Sequence, residues 1–267
     1  GTIYEMYYAQ AMNLKLAAEN DPEANCWAER CRQAFKRDSL LNLQYNKEIA
    51  GGKWDGMMTQ KHISYKDWND WFPADVCPEL KEVAQPTEGP TFSPRHGYIS
   101  IEAEHTYSRT DASQSKWTVI PYMGRTLSGI ALMPYTVGTD GGKLVYRWQG
   151  ETPATVKVHV VTKSTLDFLD KGGLIYTVSI DDGQPVSVNF NSNLNEKPQN
   201  IYTIYYPTIA RRVVEQVVEL PVSKGNIHTL TIHPQDPGIV FEKIVIDLGG
   251  YYPQYLFGKE SPKSYKK

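Results

Sequence analysis

Few residues in this 267-residue chain are spaced for bond-breaking chemistry. Asp67 and Asp70 fall three apart and could share a helical face as a paired acid and base. Lys66 adjoins them and their neighbours imply no desolvated pocket, so they read as a solvated face. Residues that could bind are easier to find. Between Trp54 and Trp68 the chain gathers two tryptophans, two methionines, a histidine and a tyrosine. Aromatic faces stack on the apolar faces of sugars, and His or Tyr bonds to hydroxyls or a carboxylate. His62, Tyr65 and Trp68 are therefore candidate substrate contacts, while Trp54, Met57 and Met58 are expected as core residues that fix a loop. Glu102 and Glu104 project from one face of a strand, and Asp247 on a late strand could complete an oxygen-rich site. The alternative there is a pair of surface carboxylates with Arg or Lys partners. His159, His228 and His233 share no metal-ligand spacing, and His105 stands alone beside the acidic strand.

Composition narrows the classes. The formal net charge is −2, and Lys and Arg are scattered, so the electrostatic drive for nucleic-acid binding is missing. No apolar run approaches the roughly 20 residues that span a bilayer, so no membrane partner is expected. The N-terminus lacks the blocks of a signal peptide, and any such signal is expected outside the chain. Cys26, Cys31 and Cys77 make an odd count, and the first two lie five apart in a helical pattern; all three read as reduced packing residues.

The elements that must position these residues fall into two sets. Residues 3 to 18 carry apolar side chains at helical spacing. Asp21-Pro22-Glu23 starts a second helix, because Asp21 can accept from orphan amides and Pro22 needs no donor. That helix is expected to reach about Ala50, with a buried stripe of Trp27, Cys31, Ala34, Phe35, Leu41, Tyr45 and Ile49, and to stop at Gly51-Gly52. A turn this short packs two helices antiparallel. The helical domain is placed at residues 1–80 and a Pro- and Gly-rich linker at 81–95. From 96 to 258 the hydrophobic period is two, with strands at Ile99–Ala103, Leu144–Trp148, Thr155–Thr162, Leu174–Ile180, Val186–Phe190 and Ile239–Leu248. Asp182-Gly183 and Asp236-Pro237-Gly238 mark turns. Arg211 to Leu220 fits either a helical stripe or a valine-rich strand. The expected fold is an antiparallel helical segment followed by an antiparallel β-sandwich of jelly-roll, carbohydrate-binding-module-like type, with residues 259–267 as a tail.

Two blocks resemble glycoside hydrolase family 115, the xylan α-glucuronidases. The first is Glu48-Ile49-Ala50-Gly51-Gly52-Lys53-Trp54, continuing through Met57-Met58, Gln60, His62-Ile63, Tyr65 and Trp68. The second is Gly97-Tyr98-Ile99-Ser100-Ile101-Glu102-Ala103-Glu104-His105, with Trp117, Ile120-Pro121 and Gly124-Arg125-Thr126 after it. Asp236-Pro237-Gly238-Ile239-Val240 and Lys243-Ile244-Val245-Ile246-Asp247 extend the likeness. Gly56, Thr59, Ser64 and Asp67 depart from the usual pattern, which allows a relative acting on a different uronic acid or sugar.

The resemblance implies a catalytic barrel of the same polypeptide before residue 1, release of glucuronic acid or its 4-O-methyl form from xylan with inversion, and a secreted or periplasmic location. Inversion needs two carboxyl groups about 6.5–9.5 Å apart. The chain offers no convincing pair, so it is expected to be inactive alone, with plant cell-wall polysaccharide as its partner. Similar Glu-Ala-Glu strands in carbohydrate-binding sandwiches help hold a structural calcium, which Glu102, Glu104 and Asp247 would supply. A competing reading is an autonomous carbohydrate-binding module with an exposed aromatic row, for which Trp117, Tyr122 and Tyr135 are candidates. A third is a homodimer element, since Tyr and Trp also favour protein interfaces.

Overall fold

In a computed structural model, residues 1–65 and 75–266 are described; Asp67, Trp68 and Asp70 lie outside them. The chain divides into two compact units, Gly1–Pro86 and Thr87–Lys267. No helix among the described residues is long and apolar enough to cross a membrane.

The first unit is built on α1 (Thr2–Ala18) and α2 (Glu23–Lys47). Asp21 Oδ1 accepts from Glu23 N at 3.0 Å, which supplies the expected start of α2. The helices run antiparallel: Glu5 meets Arg30 and Arg37, and Asn13 reaches Ala24 across the turn. Alanines 9, 24, 28 and 34 are fully buried, and side chains this small let the backbones approach closely. Met6, Cys31 and Ile63 fill the remaining space.

The second half of α2 departs from the expected stripe. Leu41 is 51% exposed, Tyr45 and Ile49 are also exposed, and the inward positions are Asp38 and Asn46. The reason is a polar demand from the following chain. Asn46 pairs with both the N–H and the C=O of Met58, and Asp38 accepts from Thr2 Oγ1 and meets His62. The helix ends at Lys47, and Ala50 and Gly51 turn left-handed at φ 52° and 64°. Met57 and Met58, expected in the core, are exposed, and Trp54 is half-buried under Lys53. Residues 75–86 then run back along the helices as a strap. Asn13 and Asn25 each clasp it by pairing with both backbone groups of one residue, Lys81 and Val83 respectively.

The second unit holds thirteen named strands among its described residues. They are β1 (Thr91–Phe92), β2 (Tyr98–Glu102), β3 (Ser108–Thr110), β4 (Lys116–Ile120), β5 (Gly129–Met133), β6 (Lys143–Gln149), β7 (Thr155–Lys163), β8 (Ile175–Ile180), β9 (Val186–Asn189), β10 (Val213–Pro221), β11 (Ile227–Pro234), β12 (Phe241–Asp247) and β13 (Lys263–Ser264). One sheet has the order β13-β1-β6-β11-β8-β9 with β3 also on β6; the other has β10-β7-β12-β5-β4 with β2 on β12. Pairing is antiparallel except between β1 and β6. Inward residues of both sheets, among them Trp148, Tyr176, Ile101 and Phe241, form one core, as period-two alternation requires. The ambiguous stretch is β10, whose valines pair with β7 along its whole length. Strands β1, β3, β4, β5, β11 and β13 lie outside the segments that alternation marks.

Two features of this unit position the chemistry. The outer face of the β10-β7-β12 sheet is covered by the chain after residue 250, where Tyr251 and Phe257 pack on Val161 and Val245. Between β9 and β10 the chain makes a π-turn, Ile201–Tyr205, and then α3 (Tyr206–Arg211), closed by Arg212 at φ 61°.

Candidate functional site

The sequence candidates are dispersed. His62 is held inside the first unit, with Nε2 2.6 Å from Asp38 Oδ2 and Nδ1 3.0 Å from Asp75 Oδ2. Asp75 also accepts from the backbone N–H groups of His62 and Ile63. Burial alone would lower the His62 pKa; the Asp38 hydrogen bond, the Gln60 carbonyl and the two carboxylate charges outweigh it and hold the imidazole above its ordinary value. Both ring nitrogens thus serve as a clamp, while Tyr65 beyond it is exposed. The structure does not assemble an aromatic row from Trp117, Tyr122 and Tyr135. Trp117 is 6% exposed, faces the core against Phe241 and donates Nε1–H to Thr110 O. Tyr122 and Tyr135 are exposed, the latter edge-on to Phe168.

Glu102, Glu104 and Asp247 are not brought together either. Glu102 lies opposite Lys243 on β12, and Asp247 lies opposite Tyr98, four residues further along. Glu104 falls beyond β2, in a turn beside His105. The expected surface carboxylate at Glu102 is instead buried beneath the C-terminal segment, where Glu260 Oε1 accepts from Glu102 N and meets His105 Nδ1 at 2.6 Å. Burial would raise the Glu260 pKa; His105, Lys263 and the backbone donor hold it below the usual carboxylate value.

The concave site lies along β10, at the edge of its sheet. Its walls come from the segment after β9, from α3, and from the C-terminal segment around Tyr255, and they enclose a cavity of about 570 Å³. Cavities of roughly 300–1,000 Å³ suit small ligands and single sugar units. Arg125 ties the walls together. Its backbone N–H donates to Glu242, its Nη1 donates to Tyr255 O at 2.8 Å, and its Nη2 donates to Arg211 O. The guanidinium sits 4.2 Å from the centre of the Tyr255 ring and 5.2 Å from that of Phe257. Arg125 Nε is buried without a partner among the described residues, a cost these contacts offset. Tyr255 is 73% exposed, so its free face is a ready stacking platform over polar walls that include Asn193, Thr208, Gln216 and Gln254.

The described lining residues offer a stacking face and hydrogen-bonding side chains. Glu215 is the one carboxylate among the described lining residues, and its Oε1 is 2.8 Å from His159 Nδ1. A hydrolytic site of the common kind needs two carboxyl groups facing one bond. Sequence reasoning missed this cavity. Arg125 stood in a recognised block, but Tyr255, 130 residues away, carried no spacing signal.

A model of the glycosyl hydrolase family 115 C-terminal domain matches residues 91–260. No curated protein matches the chain by sequence. Among solved structures, a family GH115 4-O-methyl-α-glucuronidase with specificity for decorated arabinogalactans is similar at 15% identity and a TM-score of 0.42, over 82% of this chain and 25% of its own. The present chain thus spans 25% of that enzyme's length. A family 35 carbohydrate-binding module from Clostridium thermocellum is similar at 12% identity and a TM-score of 0.38, over 55% of this chain and 97% of its own. The C-terminal family 6 carbohydrate-binding module of a laminarinase from Zobellia galactanivorans gives 12% identity and a TM-score of 0.37, over 56% and 98%.

Proposed function

The chain belongs to glycosyl hydrolase family 115 through the C-terminal domain of that family, and on that premise we propose that it is the non-catalytic accessory portion of a polysaccharide hydrolase. The parent enzyme releases glucuronic acid or 4-O-methylglucuronic acid from xylan side chains in a secreted or periplasmic setting. In this reading the second unit is a jelly-roll carbohydrate-binding domain. The observation that carries the binding role is the cavity along β10, where an exposed Tyr255 ring backed by Arg125 faces amide and hydroxyl side chains. A sugar ring lying on Tyr255 would exchange its hydroxyl hydrogen bonds with those walls.

The helical unit would support the catalytic barrel. Leu40, Leu41, Leu43 and Ile49 leave an apolar face on α2 and the turn after it, which suits burial against another surface. The same face fits a homodimer as the second reading, and a concentration-dependent mass of this chain in solution would favour it.

Calorimetric titration with glucuronoxylan oligosaccharides, undecorated xylo-oligosaccharides and decorated arabinogalactan fragments, with a glucuronic acid release assay on the same samples, tests the proposal. Saturable binding without release is the expected result. Release would place chemistry in this chain and overturn its accessory role; absence of binding to every glycan would overturn the binding role.

A further inference from the structure

We propose that Lys243 is a built-in replacement for a structural metal ion, so that the second unit holds its Glu102 corner with an ammonium group and needs no calcium there. The oxygen set that the acidic strand suggests does not fit a metal. Asp247 stands four residues along β12 from the partner of Glu102, about 13 Å away at strand rise. Its Oδ1 already accepts from Gly249 N at 2.8 Å and Tyr251 N at 3.0 Å. Calcium needs six to eight oxygens within about 2.6 Å, and Glu102 cannot offer its share. Its two oxygens accept from Thr126 Oγ1 at 2.7 and 2.8 Å, and Lys243 Nζ lies 2.5 Å from Oε1.

The fold delivers that ammonium deliberately. A bulge between Phe241 and Lys243 breaks the alternation of β12 after the core residue Phe241. Lys243 then sits directly across from Glu102 while Ile244 returns to the core. Lys243 is 2% exposed, a burial that an ammonium tolerates only when paired. Beside it, Lys163 Nζ is 2.8 Å from Glu242 Oε1, and Glu242 Oε2 accepts from Arg125 N. Glu102 and Glu242 each meet an ammonium group, and Glu260, which accepts from Glu102 N, is met by His105 and Lys263, so Glu102 keeps no unpaired charge for a divalent cation. A metal would do two things here, neutralise Glu102 and join β2, β12 and the Thr126 loop; Lys243 does both, with Nζ also 3.3 Å from Thr126 Oγ1.

Thermal unfolding of the full chain with chelator and with added calcium, together with metal analysis after dialysis, tests this, using Lys243→Gln, Glu102→Gln and the double variant. The wild-type midpoint is expected to be indifferent to both treatments. Lys243→Gln strands a buried carboxylate and is expected to lower the folded-to-unfolded ratio by about 10²–10³-fold, and the double variant to recover much of that loss. A rise of the wild-type midpoint with calcium that Glu102→Gln abolishes would overturn the proposal. So would a Lys243→Gln protein as stable as wild type. Should Lys243→Gln fail to fold, a Lys243→Met, Glu102→Leu protein that folds without calcium supports the proposal, and one that folds only with calcium refutes it.

Discussion

Raising the pH across neutrality is expected to loosen the helical unit through a single side chain. In its protonated state His62 donates Nε2–H to Asp38 Oδ2 at 2.6 Å and Nδ1–H to Gln60 O at 3.3 Å, with the Asp75 carboxylate 3.0 Å from Nδ1 as a charge partner. Neutral imidazole keeps one N–H, so deprotonation deprives either Asp38 or the Gln60 carbonyl of its donor and removes the positive charge that faces Asp38 and Asp75. The folded-state pKa lies above the ordinary value, and burial, the opposing influence, is outweighed by the Asp38 hydrogen bond, the Gln60 carbonyl and the two carboxylate charges. The sign follows from linkage. The contribution is fully present below the unfolded value near 6.5 and is lost as pH rises through the higher folded value. A hydrogen bond to a charged group contributes about 1.5–3 kcal/mol; with the His62 side chain 30% exposed we discount the loss to about 1–2 kcal/mol. For a unit of fewer than 100 residues that is a fall of roughly 4–15 °C in midpoint. Far-ultraviolet circular dichroism melts between about pH 5.5 and pH 8.5 read it, because α1 and α2 dominate the helical signal. His62→Gln cannot titrate and should give a flat profile. If wild type and His62→Gln fall in parallel, the clamp does not govern the stability of this unit and the reasoning fails.

Three further outcomes are expected. Burial, with the neighbouring Cys77, pushes the Cys31 thiol up to about 11, so native-state alkylation near neutral pH should modify exposed Cys26 and spare Cys31, as peptide mass spectrometry would register; equal labelling of the two would contradict the packing. Asn13 is fully buried and holds both Ala24 O and the backbone of Lys81, so Asn13→Leu should cost about 2–4 kcal/mol in urea unfolding of the helical unit. Tyr255→Ala should weaken glycan binding by about tenfold while leaving the melting curve of the second unit in place, since the ring is 73% exposed; unchanged calorimetric affinity would remove the stacking platform from the account.

What was legible in the sequence, and what was not, divides by the range of the information. Alternation at Ile99–Ala103 and Leu144–Trp148 revealed strands because a strand's faces differ residue by residue. The valines of β10 could not be assigned alone; only pairing with β7 from Val213 to Pro221 chooses strand over helix. The stripe on α2 was misread where hydrophobicity and position part company. Asp38 and Asn46 face inward because the segment at Met58 and His62 needs polar anchors, and nothing in the local period announces that need. The cavity was invisible for the same reason, since Arg125, Thr208, Gln216 and Tyr255 meet through three separate parts of the chain.

The acidic corner shows how far spacing carries an argument and where register must take over. Glu102 and Glu104 were recognised as a pair because residues two apart on a strand share a face, and Asp247 and Lys243 were both in view on one late strand. Spacing could not say which of those two stands opposite Glu102, because that is set by a partner 141 residues away and by a bulge at Glu242 that shifts the phase of β12. A four-residue difference in register exchanges a third carboxylate for an ammonium, and with it a site that would demand a metal for one that supplies its own positive charge. The same two segments therefore carry opposite chemical meanings until the register is known, and the calcium independence of the Glu102 corner tests the register as directly as it tests the charge.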